Sequence, residues 1–328
     1  MRAAEPLAVN PNGGVNVPAM AAPPAGHEDK MTSVFTIQHK TTYRYRRPVL
    51  LGPHRLQLRP RESRDLRVIS ADIRVTPASP LTWAKDVFGN AIATVVFPNP
   101  AETLVIESRI AIEHHSAHWP RFDIASTAAS FPFGYSGDER LDLGALLVPQ
   151  FLDPEARLLT WVQGFIRSAP THTLSLLTDI NAAVSTWISY QSRDEEGTQS
   201  PLVTLERGRG SCRDIAVLLI EAVRSLGLGA RIVSGYLANR GEEAGATIGS
   251  ADGGSTHAWA EIYLPGAGWV TFDPTNRTVG DFSLIPVAVA RDIKQAVPVS
   301  GSYVGTADDF LGMTVEVKVV SNPSNGAV

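Results

Sequence analysis

The chain has 328 residues, of which 44% are apolar and 19% charged, with a formal charge of −4 at neutral pH. That composition fits an ordinary globular protein with a sizeable core and two domains, and it excludes fibres, coiled coils and solenoids. One cysteine, Cys212, cannot form an internal disulfide or a thiolate metal clip, and no stretch approaches the roughly 18 apolar residues that span a bilayer. No apolar leader follows the first basic residue, so a cytoplasmic location is expected.

Residues 1–31 are rich in Pro, Ala, Gly and Asn and carry no periodicity, which predicts a disordered tail. From Val34 onward apolar and polar residues alternate between Gly-Pro, Pro-Ala-Ser-Pro and Phe-Gly-Asn turn signals. This pattern predicts an antiparallel β-sandwich over 32–119. From Lys40 to Arg74 there are ten basic and three acidic residues, so this stretch carries +7 and the remainder −11. Its Tyr-Arg-Tyr-Arg-Arg run, residues 43–47, is not expected to bind nucleic acid, because alternate strand positions send Tyr and Arg to opposite faces. His114, His115 and His118 are not expected to hold a metal, since strand neighbours point apart and no carboxylate has suitable spacing.

A Pro- and Gly-rich connector, 120–150, leads to helical periodicity and a second domain over 151–320, with a short tail at 321–328. Asp153 and Pro154 stand in the N-cap and first-turn places of one predicted helix. Leu177, Ile180, Val184, Trp187 and Ile188 form the apolar stripe of the next. After a polar stretch comes Gly-Arg-Gly-Ser-Cys-Arg-Asp, residues 208–214. Downstream of it Ile215, Leu218, Leu219, Ala222, Val223 and Leu226 recur at helical spacing, and Gly227 is a stop signal, which predicts a helix over 211–226. Cys212 thus falls in a first turn, where unpaired N–H groups and the positive helix end favour a thiolate.

The strand Ala-Arg-Ile-Val-Ser-Gly-Tyr-Leu and a small-residue loop come next, and then a hairpin that opens with His257 and closes with Asp273. Thiolate catalysis needs an imidazole to carry the proton and a carboxylate to orient that imidazole. Taken singly, a lone cysteine is commonly a small buried hydrophobe, a strand histidine is commonly a surface residue, and Asp before Pro commonly starts a turn. Together they point to a Cys212–His257–Asp273 triad. Parity then makes a demand: His257 and Asp273 share a face only if the hairpin loop has three or five residues, most simply with Leu264 opposite Gly268.

These motifs, Gly-Arg-Gly-Ser-Cys-Arg-Asp and His-Ala-Trp-Ala-Glu-Ile-Tyr-Leu-Pro-Gly-Ala-Gly-Trp-Val-Thr-Phe-Asp-Pro-Thr, resemble the core of the bacterial transglutaminase-like proteins, a branch of the papain-like cysteine enzymes. The β segment from Phe35 and the closing segment up to Val320 resemble the same family. The resemblance implies an α+β fold, with helices packed on an antiparallel sheet as the catalytic core and a β-sandwich before it. It also implies that Cys212 is the nucleophile, His257 the general base and then acid, and Asp273 the orienting carboxylate. Ser211 departs from the small apolar residue usual there and is expected only to cap the helix.

Asp214 is expected to serve the helix end and Arg213 is a weaker candidate for reading substrate charge; Trp259 and Trp269 are expected to pack the hairpin. An oxyanion donor besides the Cys212 N–H is not apparent, and no acidic loop fits calcium. The expected function is hydrolysis of an amide or peptide bond through a thioester, with a peptide or protein substrate, no cofactor, no metal, and no membrane or nucleic-acid partner. Bacterial members of the family resemble peptidases, and cross-linking would be hazardous among cytoplasmic proteins. Acyl transfer to an amine, or non-catalytic binding, are the alternatives.

Overall fold

The computed structural model describes residues 31–116, 122–192, 197–238 and 255–323. The expected tail up to residue 30, His118 and the last five residues lie outside them. The first half contains β1 (Met31–Leu51), β2 (His54–Leu56), β3 (Leu66–Thr76), β4 (Leu81–Lys85), β5 (Ala91–Val95) and β6 (Ala101–Ser116). Then come β7 (Ser130–Phe131), α1 (Gly137–Leu143), α2 (Arg157–Gln163), β8 (Thr171–His172), α3 (Thr173–Trp187), β9 (Ser189–Tyr190), α4 (Pro201–Arg207), β10 (Arg209–Gly210) and α5 (Cys212–Ser225). The chain ends with β11 (Ala230–Leu237), β12 (Ser255–Leu264), β13 (Gly268–Asp273), β14 (Thr278–Val279), β15 (Leu284–Ala290), β16 (Val299–Ser300), β17 (Tyr303–Val304) and β18 (Phe310–Pro323).

The expected α+β architecture is present. β1 lies at the centre of one sheet, with β6 and then β3 on one side and β17 and β18 on the other. A four-stranded sheet, β16-β2-β5-β4, faces it across a core that includes Tyr45, Leu56, Val95, Leu104 and Ile106. The second half is a five-stranded antiparallel sheet in the order β14-β13-β12-β11-β15, with α5 packed on β11 and β12. Further along β1 and β6, Phe35, Ile37, Ile110 and Ile112 turn the same face of the first sheet onto Tyr236, Ile285 and Val287 of this second sheet. One β-sheet face therefore serves two cores.

This arrangement corrects the domain limits read from the sequence. Residues expected in the second domain up to 320 do not all belong there: β16, β17 and β18 hydrogen-bond to β2 and β1, and Ser33 lies opposite Pro323. Alternation reveals a strand and its buried face, but it does not name a partner some 280 residues away. The connector also has structure of its own, since β7 pairs with β8 and α1 lies within it.

Helix limits need correction too. Asp153 does not start a helix at Pro154; its carboxylate accepts from the N–H groups of Arg157, Leu158 and Leu159, and α2 begins after Ala156, whose φ is 52°. Trp187 is 60% exposed and leaves the stripe, which otherwise runs as expected through Leu177, Ile180 and Val184 to the buried Ile188, with Leu176 added.

The far end of α5 is tied down by a buried ion pair. Glu221 and Arg224 meet at 2.7 Å with side chains 2% and 1% exposed. Arg224 also donates to the carbonyls of Leu146, Ala230 and Arg291, while Glu221 accepts from the N–H groups of Gln150 and Phe151. Removing one partner strands a buried charge, so Arg224→Ala should lower stability by about 3–5 kcal/mol in urea unfolding. A loss below about 1 kcal/mol would show that the pair does not anchor the helix.

Candidate active site

Cys212 is the first residue of α5 and is partly exposed. The helix starts here because Asp214, fully buried, folds its carboxylate back to accept from the N–H and hydroxyl of Ser211, at 2.8 and 2.9 Å, and from the N–H of Gln199 at 2.7 Å. Burial would raise the pKa of Asp214, but these donors outweigh it and hold the carboxyl below its ordinary value. Asp214 therefore has the structural role expected of it. Gly208 ends α4 with φ of 64°, and a Cβ on Gly210 would come within 2.8 Å of the Asp214 Cβ. The glycines before the cysteine allow α4 to stop and α5 to begin within a few residues.

His257 lies on β12 opposite Gly235 of β11. A Cβ at Gly235 would collide with the Ile285 carbonyl and lie 2.8 Å from the Trp259 ring, so only glycine lets β11 pass between them. Leu264 pairs with Gly268 and Ala260 with Phe272, giving the three-residue loop that parity demanded. Asp273, at the end of β13, then reaches His257: its Oδ2 accepts from Nε2 at 2.8 Å, with both side chains almost wholly buried. The same oxygen accepts from Asn276 Nδ2 at 2.7 Å, and Oδ1 accepts from the N–H groups of Thr275 and Asn276.

His257 and the Ala258 N–H are the groups close enough to the Cys212 sulfur to act on its protonation. Nε2 is engaged by Asp273, which leaves Nδ1 as the ring nitrogen available to the thiol. Burial pushes the thiol up, but the hydrogen bond and charge of His257, the charge of Arg213 and the Ala258 N–H bring it below its ordinary value of 9.0. Burial also lowers His257, yet Asp273 and Cys212 raise it to about 10. Asp273 is raised by burial and lowered further by His257 and Asn276, for a net fall. The three shifts agree: the charged forms, thiolate, imidazolium and carboxylate, stabilise one another in a site largely shielded from water.

Two of the side chains around the triad behave as expected. Trp259 is 1% exposed and stacks on His257 with ring centroids 6.1 Å apart, and Trp269 lies under the Arg231 guanidinium at 4.0 Å. His114 is packed against Phe35 and Phe282, while His115 hydrogen-bonds Thr32, so the two rings serve different faces. Among the described residues no group of three or more side chains suits a metal.

Sequence reasoning missed Asn276 and Tyr190. Asn276 could have been noticed as the fourth residue of Asp-Pro-Thr-Asn, an Asx-turn pattern in which the last side chain can return to the first. Tyr190 is 38% exposed on β9, which pairs in parallel with β10 so that Tyr190 lies opposite Gly210. Burial raises its hydroxyl pKa and the charge of Cys212 raises it further. No local pattern marks that neighbour, because a two-residue strand carries no periodicity.

Residues 35–113 match the bacterial transglutaminase-like N-terminal region, and residues 160–274, which include Cys212, His257 and Asp273, match the transglutaminase-like superfamily. This chain is a bacterial transglutaminase-like protein. An uncharacterised protein of Mycobacterium leprae is 27% identical over 285 residues, which cover 86% of this chain and 97% of the relative. One from Mycobacterium tuberculosis is 27% identical over 297 residues, covering 87% and 93%. The crystal structure of a candidate cysteine protease from Cytophaga hutchinsonii superposes with a TM-score of 0.65 at 18% identity, over 88% of this chain and 91% of that one. That likeness is one of fold.

Two measurements probe the site. Each unit by which a thiol pKa falls raises its thiolate fraction tenfold at lower pH, so iodoacetamide should alkylate Cys212 at pH 6 more than about tenfold faster than free cysteine. His257→Ala should abolish that excess; equal rates for protein and free cysteine, unchanged by His257→Ala, would remove the ion pair from the account. Asn276→Ala takes a hydrogen bond from a buried carboxylate and should cost about 1–3 kcal/mol in chemical unfolding.

Proposed function

We propose that this transglutaminase-like protein hydrolyses an amide or peptide bond, with Cys212 as nucleophile, His257 as proton carrier and Asp273 as orienting carboxylate. The feature that supports the reading is the thiol at the start of α5, beside an imidazole that a buried carboxylate holds at 2.8 Å.

In this scheme the thiolate attacks the amide carbonyl carbon, and the oxygen takes the charge against the Cys212 backbone N–H at the positive end of α5. Collapse breaks the C–N bond as His257 passes its proton to the departing amine, leaving a thioester and a neutral imidazole. That imidazole takes a proton from water as the water oxygen attacks the thioester carbon; collapse then breaks the C–S bond, and the carboxylic acid leaves a thiolate beside the imidazolium that kept the proton, which is the starting ion pair. Asp273 stays ionised throughout, holding one ring nitrogen so that the other always faces the sulfur. A reducing compartment keeps the single thiol in the form this chemistry needs, and the cytoplasm is the location we propose.

The same thioester could be opened by an amine, so the test must separate the two outcomes. The protein would be incubated with a peptide library, with and without a primary amine, and both peptides and protein weighed by intact-mass spectrometry. Hydrolysis predicts cleaved or deamidated peptides whose yield the amine does not change, together with a transient acyl adduct on Cys212. Amine-dependent adducts would establish acyl transfer instead. An unmodified library, with a cellular phenotype indifferent to Cys212→Ala, would overturn the enzymatic reading.

A further inference from the structure

The solvent face of the first sheet carries charges in rows that the strand register makes explicit. Arg74 on β3 lies opposite Glu107 on β6, Glu107 opposite Lys40 on β1, and Lys40 opposite Glu316 on β18. The Lys40 ammonium is 3.7 Å from the Glu107 carboxylate. One row along, Asp72, Arg109, Gln38 and Lys318 follow one another in the same way. Both rows end at β18, which pairs with β1 on one side and has no backbone partner on the other among the described residues. One row ends in an anion and the next in a cation. On the opposite face of β18, Met313 and Val315 remain 50% and 46% exposed.

We propose that the free edge of β18 pairs antiparallel with β18 of a second copy about a two-fold axis through Val317, joining the two sheets into one. Isologous pairing makes every contact occur twice. In this register Glu316 faces the partner's Lys318 and Lys318 faces the partner's Glu316, so each charge row continues across the axis. Val315 meets the partner's Val319, and Val317 meets the partner's Val317.

The alternatives are excluded by parity and charge. An axis between two residues would set side chains of opposite faces against one another. An axis through Glu316 or Lys318 would put like charges directly opposite, which is destabilising. Axes through Val315 or Val319 would leave both charges without a charged neighbour and shorten the paired length. Only the axis through Val317 matches opposite charges and uses nearly the whole strand. An unpaired edge of this length with half-exposed apolar residues is also the kind of surface that proteins otherwise cover or blunt.

Strand pairing alone buries little area, so the dimer should be of moderate strength, with a dissociation constant on the order of 10 μM. Sedimentation of the full chain at about 100 μM should show a dimer. Lys318→Glu and Glu316→Lys each place like charges across the axis twice, and each alone should weaken association at least about tenfold. Mixed in equal amounts, the two variants restore both opposite-charge pairs and should form a heterodimer. Unchanged melting temperatures and Cys212 alkylation rates would show that both variants fold. Hydrogen exchange needs no variant: amides of β18 should gain protection between about 1 and 100 μM. A wild-type monomer at the upper concentration, a dimer that neither reversal weakens, a mixture that stays monomeric, or concentration-independent exchange would each overturn the proposal.

Discussion

A carboxylate with no exposure to water, Asp273, makes demands that the whole second half meets. Burying an ionised carboxyl costs several kcal/mol unless opposite charge and hydrogen-bond donors replace the lost hydration. His257, the Asn276 amide and two backbone N–H groups supply them, and each arrives through a definite piece of structure. The three-residue hairpin loop brings the end of β13 beside β12 on the correct face. The turn after β13 returns Asn276 to the residue three before it. From α3, Asn181 donates to the Asp273 carbonyl and so ties the helical layer to the strand end. With the carboxylate held, the imidazole is held, and its remaining nitrogen can only face the start of α5.

The helix on the other side of the site is fixed independently at both ends. At its start Asp214 gathers Ser211 and Gln199, and at its end Arg224 and Glu221 gather three separate segments. Cys212 is thereby placed by buried polar contacts that do not involve the sulfur. This division leaves the thiol free to change protonation state without loosening its own support.

How far all this was legible in the sequence depends on the range over which the relevant force acts. The helix carrying Cys212 was readable because its apolar spacing, its capping residue and its glycine stop are all local. Hairpin register was readable because strand parity converts a functional demand on His257 and Asp273 into a loop length. The pairing of β18 with β1 was not, since Val317 or Val319 would alternate just as well beside any strand. Asp153 misled because a carboxylate can cap a helix from across a turn, and Trp187 misled because a stripe of spacing does not say where the neighbouring layer stops. Tyr190 comes near the thiol through two residues of parallel pairing, too short to leave any pattern.

The first sheet meets the sheet that carries His257 through a mostly apolar seam, in which His39 lies between the Tyr236 hydroxyl and Thr41. Burial lowers the His39 pKa to about 4, so this imidazole stays neutral at ordinary pH and the seam carries no titrating charge there. The sheet that makes the seam is opened by one of the first described strands and finished by the last, with Ser33 set against Pro323. On the ribosome, therefore, β1 must wait beside an empty place while the second half is made. Cys212, His257 and Asp273 all emerge before the strand that completes the domain in front of them, so the half written second can be completed before the half written first.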